Sequence, residues 1–269
     1  MRRTTSLVFA ALCGLILLSG CWDIKVKLTV KPDGSGTIEE KVMLVDFFTD
    51  LGEEEKSRVP GYEESYFHER AADYGEDVQV VKFENLQENG KFGYFARFSF
   101  TDINRVKVDE NFSQIIDLDS GLMKATSSDS ANYINFVYIK GKNNLLTVSF
   151  PHRENVPAPD STEDIIESGE KKEMSDEEFA VLTSFFEDMS ILLDLEIKGK
   201  IVRTDASYVE KNTIKLIELN FKEILEDKEK FRALMEMEAA TPALWGDYIQ
   251  KEYPAIKYEP QDKVEIEFK

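Results

Sequence analysis

The chain has 269 residues, 52 of them acidic against 33 lysines and arginines, so its formal net charge is −19 at pH 7. Such an acidic protein is a poor candidate for nucleic-acid binding, which depends on neutralising phosphates with lysine and arginine. The two cysteines and two histidines have no zinc-binding spacing, and no cofactor motif occurs. We therefore expect no nucleic-acid partner, no metal and no cofactor.

The N-terminal segment has the layout of a secretion signal that ends in a cysteine. Two early arginines precede a short apolar run, which closes with Leu18-Ser19-Gly20-Cys21. This layout resembles a bacterial lipoprotein signal. The resemblance implies that residues 1–20 are removed and that the sulfur of Cys21 receives a diacylglyceryl group, usually with further acylation of the new N-terminus. The alternatives are an ordinary cleaved signal and a buried apolar helix with a chance cysteine.

Lipidation would decide the location of the mature protein. It implies the extracytoplasmic face of the cell membrane or outer membrane; in a cell with two membranes, Trp22 after the cysteine favours the outer one, whereas Asp23 leaves the choice open. One acyl chain holds a protein only marginally, but two or three hold it for long periods. Removal of residues 1–20 takes away two arginines and Cys13, so the charge becomes −21 and no free thiol remains.

Alternation of apolar and polar residues predicts a β-rich N-terminal half, 21–150, of a single domain. The predicted elements are strands at 24–31 and 37–45, a helix at 62–74, strands at 78–83 and 92–100, and strands at 133–140 and 145–150. Each strand pair is separated by turn residues, which predicts hairpins. The strand at 133–140 is apolar on both faces, so we expect it to be central.

The C-terminal half, 176–269, follows an acidic, proline-containing loop at 151–175 that we expect to be flexible. Its predicted elements are a helix at 175–189, a long strand at 191–201, an antiparallel strand at 213–221, a helix at 222–238 and a last strand at 264–268. Together the two halves predict an α+β fold, in which antiparallel hairpins form a curved sheet and a few helices pack on one face.

Three lysines and four aromatic residues are candidates for contacts outside the core. Lys25, Lys27 and Lys31 form a basic row on the first strand, close to the lipid anchor. They would touch anionic lipid or, alternatively, protect an exposed strand face or edge.

The aromatic residues near the C-terminus are candidates for a ligand site. Trp245, Tyr248, Tyr253 and Tyr258 lie where apolar periodicity is weak. Such side chains can rim an apolar pocket for a lipid or small ligand. Alternatively, they cap the end of the core.

Two motifs of the mature chain resemble the LppM-like family of bacterial surface lipoproteins. One runs from Cys21-Trp22-Asp23-Ile24 to the Asp-Gly-Ser-Gly turn, and the other is the strand-turn-strand pattern from Leu195 to Thr213. The resemblance implies an extracytoplasmic α+β domain with a lipid-binding cavity and no established catalytic residues.

The sequence thus predicts a membrane-anchored, non-catalytic lipoprotein that binds a lipid or lipid-like ligand at the membrane surface. An alternative is an envelope assembly subunit that recruits a protein partner through a sheet edge or the acidic loop. A distant alternative is a carboxylate-type hydrolase, for which no catalytic pair can be nominated from spacing.

Overall fold

The computed structural model describes residues 22–45, 62–88, 91–110, 133–151, 179, 183, 189–225, 253 and 256–269. The strands in this part of the chain are β1 (Trp22–Val30), β2 (Gly36–Val45), β3 (Gln79–Glu88), β4 (Lys91–Phe100), β5 (Lys107–Asp109), β6 (Tyr133–Ile139), β7 (Asn144–Ser149), β8 (Ser190–Ile197), β9 (Ile201–Thr204), β10 (Val209–Glu210), β11 (Thr213–Asn220), β12 (Ile256–Tyr258) and β13 (Lys263–Phe268). The helices are α1 (Glu64–Tyr74) and the short α2 (Phe221–Leu225), with a 3₁₀ turn at Ile103–Arg105. Within these ranges, no helix has both the length and the hydropathy needed to cross a membrane.

The strands form two sheets. The large sheet has the order β10-β11-β8-β1-β2-β4-β3, with β12 also paired to β11, and the small sheet has the order β5-β6-β7-β13-β9. All neighbours are antiparallel except β1 and β8, which run parallel from the Asp23–Ser190 pair to the Val30–Ile197 pair. Strands from the N-terminal and C-terminal parts of the chain therefore share both sheets.

Side chains alternate between core and solvent on the large sheet. On β1, Ile24, Val26 and Leu28 are buried, whereas Lys25 between them is exposed. The inward side chains of both sheets belong to one hydrophobic core, whose burial is the main favourable contribution to folding.

The α+β prediction is wrong, because the structure is mainly β, with two sheets and a single helix longer than five residues among the described ones. The predicted helices at 175–189 and 222–238 fall largely outside the described residues. The residues of these ranges that are described as helical are Phe179, Thr183 and those of α2. Period-two alternation identifies a strand with one buried face, but it does not say whether a helix or a second sheet covers that face.

Two strand predictions also need correction. β6 does have a neighbour on each side in the small sheet, β5 and β7, but its outward face is not buried, since Val137 and Ile139 are 49% and 57% exposed. The predicted long strand at 191–201 is two strands, because the chain leaves the large sheet after β8 and enters the small sheet at β9. Gly199 permits this crossing, since a Cβ there would lie 2.3 Å from the carbonyl oxygen of Lys269.

The other predicted pairings are confirmed. β1 and β2, β3 and β4, and β6 and β7 are antiparallel neighbours, and β11 returns antiparallel to β8. The helix predicted at 62–74 is α1, and the last predicted strand is β13. The acidic loop at 151–175 lies outside the described residues except for Pro151, so its flexibility stays a prediction.

Candidate functional site at the start of β1

The register of the large sheet brings several strand ends to the place where β1 begins. Trp22 pairs with Leu44 near the end of β2, and Leu44 pairs with Phe92 near the start of β4. On the other side, Asp23 pairs with Ser190 at the start of β8. We call this end of the large sheet the proximal end, and the end where β1 finishes at Val30 the distal end.

The proximal end lies directly beside the predicted lipidation site. Cys21 itself is outside the described residues, but β1 begins at Trp22, the next residue in the chain. Adjacent Cα atoms are about 3.8 Å apart across a trans peptide bond. A lipid on Cys21 would therefore emerge at the proximal end with no linker between anchor and sheet.

Apolar side chains at the proximal end pack on the core without being fully buried. Phe92 lies level with Trp22 in the register, and Ile191 and Leu219 lie level with Ile24. The full set, which we call the apolar rim, is Tyr62, Tyr66, Phe92, Ile191, Leu219 and Phe221.

Two tyrosines of the apolar rim come from the start of α1. The Tyr62 backbone N–H donates to Oδ1 of Asn85 at 3.0 Å, and the Asn85 amide donates back to the Tyr62 carbonyl at 3.3 Å. The Tyr62 ring lies 4.9 Å from that of Tyr66 and 4.6 Å from that of Tyr94, measured between centroids. Because Asn85 and Tyr94 are paired across β3 and β4, these contacts hold the start of α1 at the proximal end.

A buried ion pair fastens the rest of α1 to the large sheet. The Nη2 atom of Arg70 donates to Oε2 of Glu40 at 2.8 Å, and both side chains are almost completely buried. The hydroxyls of Tyr74 and Tyr94 also donate to the Glu40 carboxylate. The Tyr66 hydroxyl, 3.1 Å from that of Tyr94, links this cluster to the apolar rim.

The cluster keeps Glu40 ionised. Burial is the largest influence and by itself would raise the pKa of Glu40. The charge of Arg70 and hydrogen bonds from Arg70, Tyr74 and Tyr94 together outweigh burial, so the pKa of Glu40 is lowered. Burial and the Glu40 charge raise the pKa of Tyr74 and of Tyr94, which remain neutral donors.

This arrangement is suited to holding α1 in place. A general base needs an accessible carboxylate with a pKa near the working pH, but Glu40 is fully buried and already accepts bonds from three side chains. Sequence reasoning missed Glu40 as a site residue, although it stands in an inward position of β2 between Ile38 and Val42. A charge at an inward strand position was the available signal.

The lysine row lies on the outward face of the large sheet, where carboxylates already face two of its members. Lys25 contacts Asp23 at 3.0 Å and Lys27 contacts Glu196 at 2.7 Å. Lys31 is exposed in the turn at the distal end. A strand rises about 3.3 Å per residue, so Lys31 lies about 30 Å from the start of β1.

The structure does not assemble the four aromatic candidates into a described site. Tyr253 and Tyr258 are 6% and 8% exposed and belong to the core, and the Tyr258 hydroxyl donates to Glu110. Trp245 and Tyr248 lie outside the described residues, so their part in ligand binding stays a prediction.

No known protein family matches the chain, and no curated protein matches its sequence significantly. Among solved structures, the chain is similar to the NMR structure of the folded domain of LppM from Mycobacterium tuberculosis. The match covers 94% of this chain and 92% of that chain, at 10% identity and a TM-score of 0.34. The structural similarity to the LppM folded domain is therefore weak.

Proposed function

We propose that this protein is a lipoprotein of the bacterial envelope, anchored through Cys21, whose folded domain engages lipid at the membrane surface without catalysing a reaction. The observation that carries the proposal is the start of β1 at Trp22, directly after the cysteine of the predicted signal. A tether this short keeps the sheet at the headgroups of the membrane that holds the acyl chains.

The non-catalytic part of the proposal is supported by the environment of the most deeply buried carboxylate of the large sheet. Glu40 is saturated by Arg70 and two tyrosines, so it has neither the access nor the raised pKa that a catalytic acid requires. A structural role in holding α1 accounts for the whole cluster.

Lipidation is tested by labelling cells with radioactive palmitate and comparing two cysteine variants. We expect label in the wild type and in Cys13→Ser, because that cysteine leaves with the signal, and none in Cys21→Ser. The mass of the mature N-terminal peptide checks the cleavage site. Label in Cys21→Ser, or identical membrane fractionation of all three proteins, would contradict the proposal.

Lipid engagement beyond the covalent anchor is tested on the full lipoprotein purified from membranes. Native mass spectrometry should show non-covalent lipid, and Trp245→Ala should reduce it if the aromatic tail contributes to the site. Protein that carries only its covalent chains in the gentlest detergent would contradict lipid binding while leaving the anchor intact.

A second candidate function is recruitment of an envelope protein. It is favoured by β3, an edge strand of the large sheet among the described residues, where Val81 is 55% exposed and a bulge interrupts pairing with β4. Exposed edges pair with strands of other proteins. A photo-crosslinker at Val81 should then capture one recurrent protein in intact cells, while a crosslinker at the exposed Lys142 captures none.

A further inference from the structure

We propose that the domain stands upright on the bilayer, with the proximal end of the large sheet down and the apolar rim at the level of the lipid headgroups. This inference rests on the proposed lipid anchor, and it adds the orientation of the domain and the residues that contact lipid. The occupant of the rim is the bilayer that receives the acyl chains of Cys21.

The first step is the distance between rim and anchor. Ile191 and Leu219 lie level with Ile24, two residues along β1 from Trp22, and Phe92 lies level with Trp22 itself. At about 3.3 Å per residue, the rim lies within roughly 10 Å of Cys21 along the strand direction. Interfacial side chains are buried about 5–10 Å into the headgroup and acyl boundary, so the rim is within reach of that layer.

The second step is the chemistry of the rim. Tyr62 and Tyr66 are partly exposed, and tyrosine is enriched where membrane meets water. The hydroxyl of Tyr66 lies 3.1 Å from that of the buried Tyr94, so its contribution to the rim is its aromatic ring. Phe92, Ile191 and Leu219 add partly buried apolar surface beside them. Contact with the interfacial layer would remove this apolar area from water.

The outward face of the large sheet is unsuited to lie flat on lipid. That face carries ion pairs, among them Lys27 with Glu196 at 2.7 Å and Arg97 with Glu39 at 2.7 Å. Moving such pairs from water to the membrane surface costs desolvation energy without new partners. The upright orientation leaves them in water.

The charges beside the rim indicate which lipid is needed. Glu63 and Glu64 are exposed at the start of α1, whereas Lys25 is exposed on β1 of the same end. Because Lys25 is paired with Asp23 at 3.0 Å, the two glutamates leave a net negative charge, which gives no attraction to anionic headgroups. Zwitterionic phosphatidylcholine should therefore support the contact at least as well as an anionic mixture does.

The test uses the full lipoprotein, reconstituted into phosphatidylcholine vesicles that contain nitroxide-labelled lipid as a quencher. Ser65→Cys places a thiol between the two rim tyrosines, and Lys31→Cys places a matched exposed thiol at the distal end. Each carries an environment-sensitive fluorophore. We expect several-fold stronger quenching and a blue-shifted emission at position 65, with position 31 behaving as in water.

Each other outcome has a defined meaning. Equal, weak quenching at both positions, or stronger quenching at position 31, would overturn the upright orientation. Protection of position 65 in intact cells but not in vesicles would assign the rim to a protein instead of lipid. Absence of lipidation is distinguishable from absence of the upright orientation. An unmodified Cys21 would take a second fluorophore per chain, and the N-terminal peptide would lack the mass of the lipid.

Discussion

The two ends of the large sheet are closed in different ways. At the distal end the turn after β1 is bonded to the small sheet and its flanks: the Ile103 N–H donates to the Gly34 carbonyl at 3.0 Å, and the Tyr138 hydroxyl and Asn144 amide both donate to the Pro32 carbonyl, at 2.6 and 3.1 Å. At the proximal end, partly buried apolar side chains surround the start of β1. The distal turn is thus held by hydrogen bonds within the protein, whereas the proximal end presents partly exposed apolar side chains beside the predicted lipidation site.

The same strands form both ends, so the comparison identifies the end at which apolar side chains stay partly exposed. At the distal end the carbonyls of Pro32 and Gly34 in the turn accept hydrogen bonds from within the chain. At the proximal end, α1 is fixed from beneath by the Glu40–Arg70 pair, while its tyrosines remain partly exposed. The buried Glu40–Arg70 pair fixes α1, while the apolar rim above it stays partly exposed, as expected of a surface that contacts the membrane interface.

The greatest loss of stability is expected when the buried Glu40–Arg70 pair that holds α1 is broken. Arg70→Met leaves the Glu40 carboxylate buried without its cation, which should destabilise the protein by about 3–5 kcal/mol in urea unfolding. The matched control, Arg97→Met, removes an outward arginine whose side chain is 43% exposed, at a cost below about 1 kcal/mol.

The double variant Glu40→Leu/Arg70→Met sharpens this result. It removes the buried charge together with its partner and should recover much of the loss. Equal stabilities of Arg70→Met and Arg97→Met would show that the pair does not fasten α1.

Acid should weaken the attachment of α1 to the large sheet before it affects the turn at the distal end. Because the folded-state pKa of Glu40 is lowered from about 4.5, the stability that its ionised form contributes is present above that pH and is lost as the pH falls. We expect the stability gap between wild type and Glu40→Gln to narrow on acidification. Amide hydrogen exchange of α1 should accelerate before that of the hydrogen-bonded turn at 31–35, and a constant gap would contradict the assignment.

A smaller loss of stability is expected when a side chain is added to Gly34 in the distal turn. Gly34 has φ of +86°, and a Cβ there would lie 2.8 Å from the Tyr138 ring. Gly34→Ala should therefore cost about 2–3 kcal/mol through backbone strain and overpacking, measured by urea unfolding. Lys31→Ala, an exposed change in the same turn, is the control and should change stability by less than about 0.5 kcal/mol.

The smallest effect concerns the amide that joins the two sheets at the distal end. Asn144 is 8% exposed, donates to the Pro32 carbonyl at 3.1 Å and accepts from the Gly141 N–H at 3.3 Å. Asn144→Ala should cost about 1–2 kcal/mol in thermal or urea unfolding. Asn135→Ala, at an exposed position of β6, should leave stability nearly unchanged. Equal losses of stability in the two variants would show that the Asn144 amide does not hold the distal turn to the small sheet.

Local pattern predicted much of the strand framework. Alternation identified β1, β2, β8, β11 and β13, and turn residues identified the hairpins, because both signals act between near neighbours in the chain. The α1 helix followed from three- and four-residue spacing around Tyr66, Phe67 and Arg70. The lipidation of Cys21 and the lysine and aromatic contacts stay predictions.

Other features depended on contacts between distant parts of the chain. The sequence shows Val137 and Ile139 as apolar but not that they face outward from β6, because exposure depends on which strands stack above them. The Glu40–Arg70 pair joins β2 to α1 across 30 residues of chain, and no short sequence pattern records which strand residue faces the helix.

The sequence alone was enough to locate most of the long strands and α1, since hydrophobic period and turn chemistry are local properties of the chain. It put the first strand at Ile24, whereas β1 begins at Trp22, directly after the predicted lipidation site. The division of the strands into two sheets, the parallel pairing of β1 with β8 and the position of the apolar rim beside the start of β1 were visible only in the folded chain. These three features depend on which distant segments of the chain pack together. Hydrophobic attraction is non-directional, so it does not specify which segments become neighbours until the whole core is assembled.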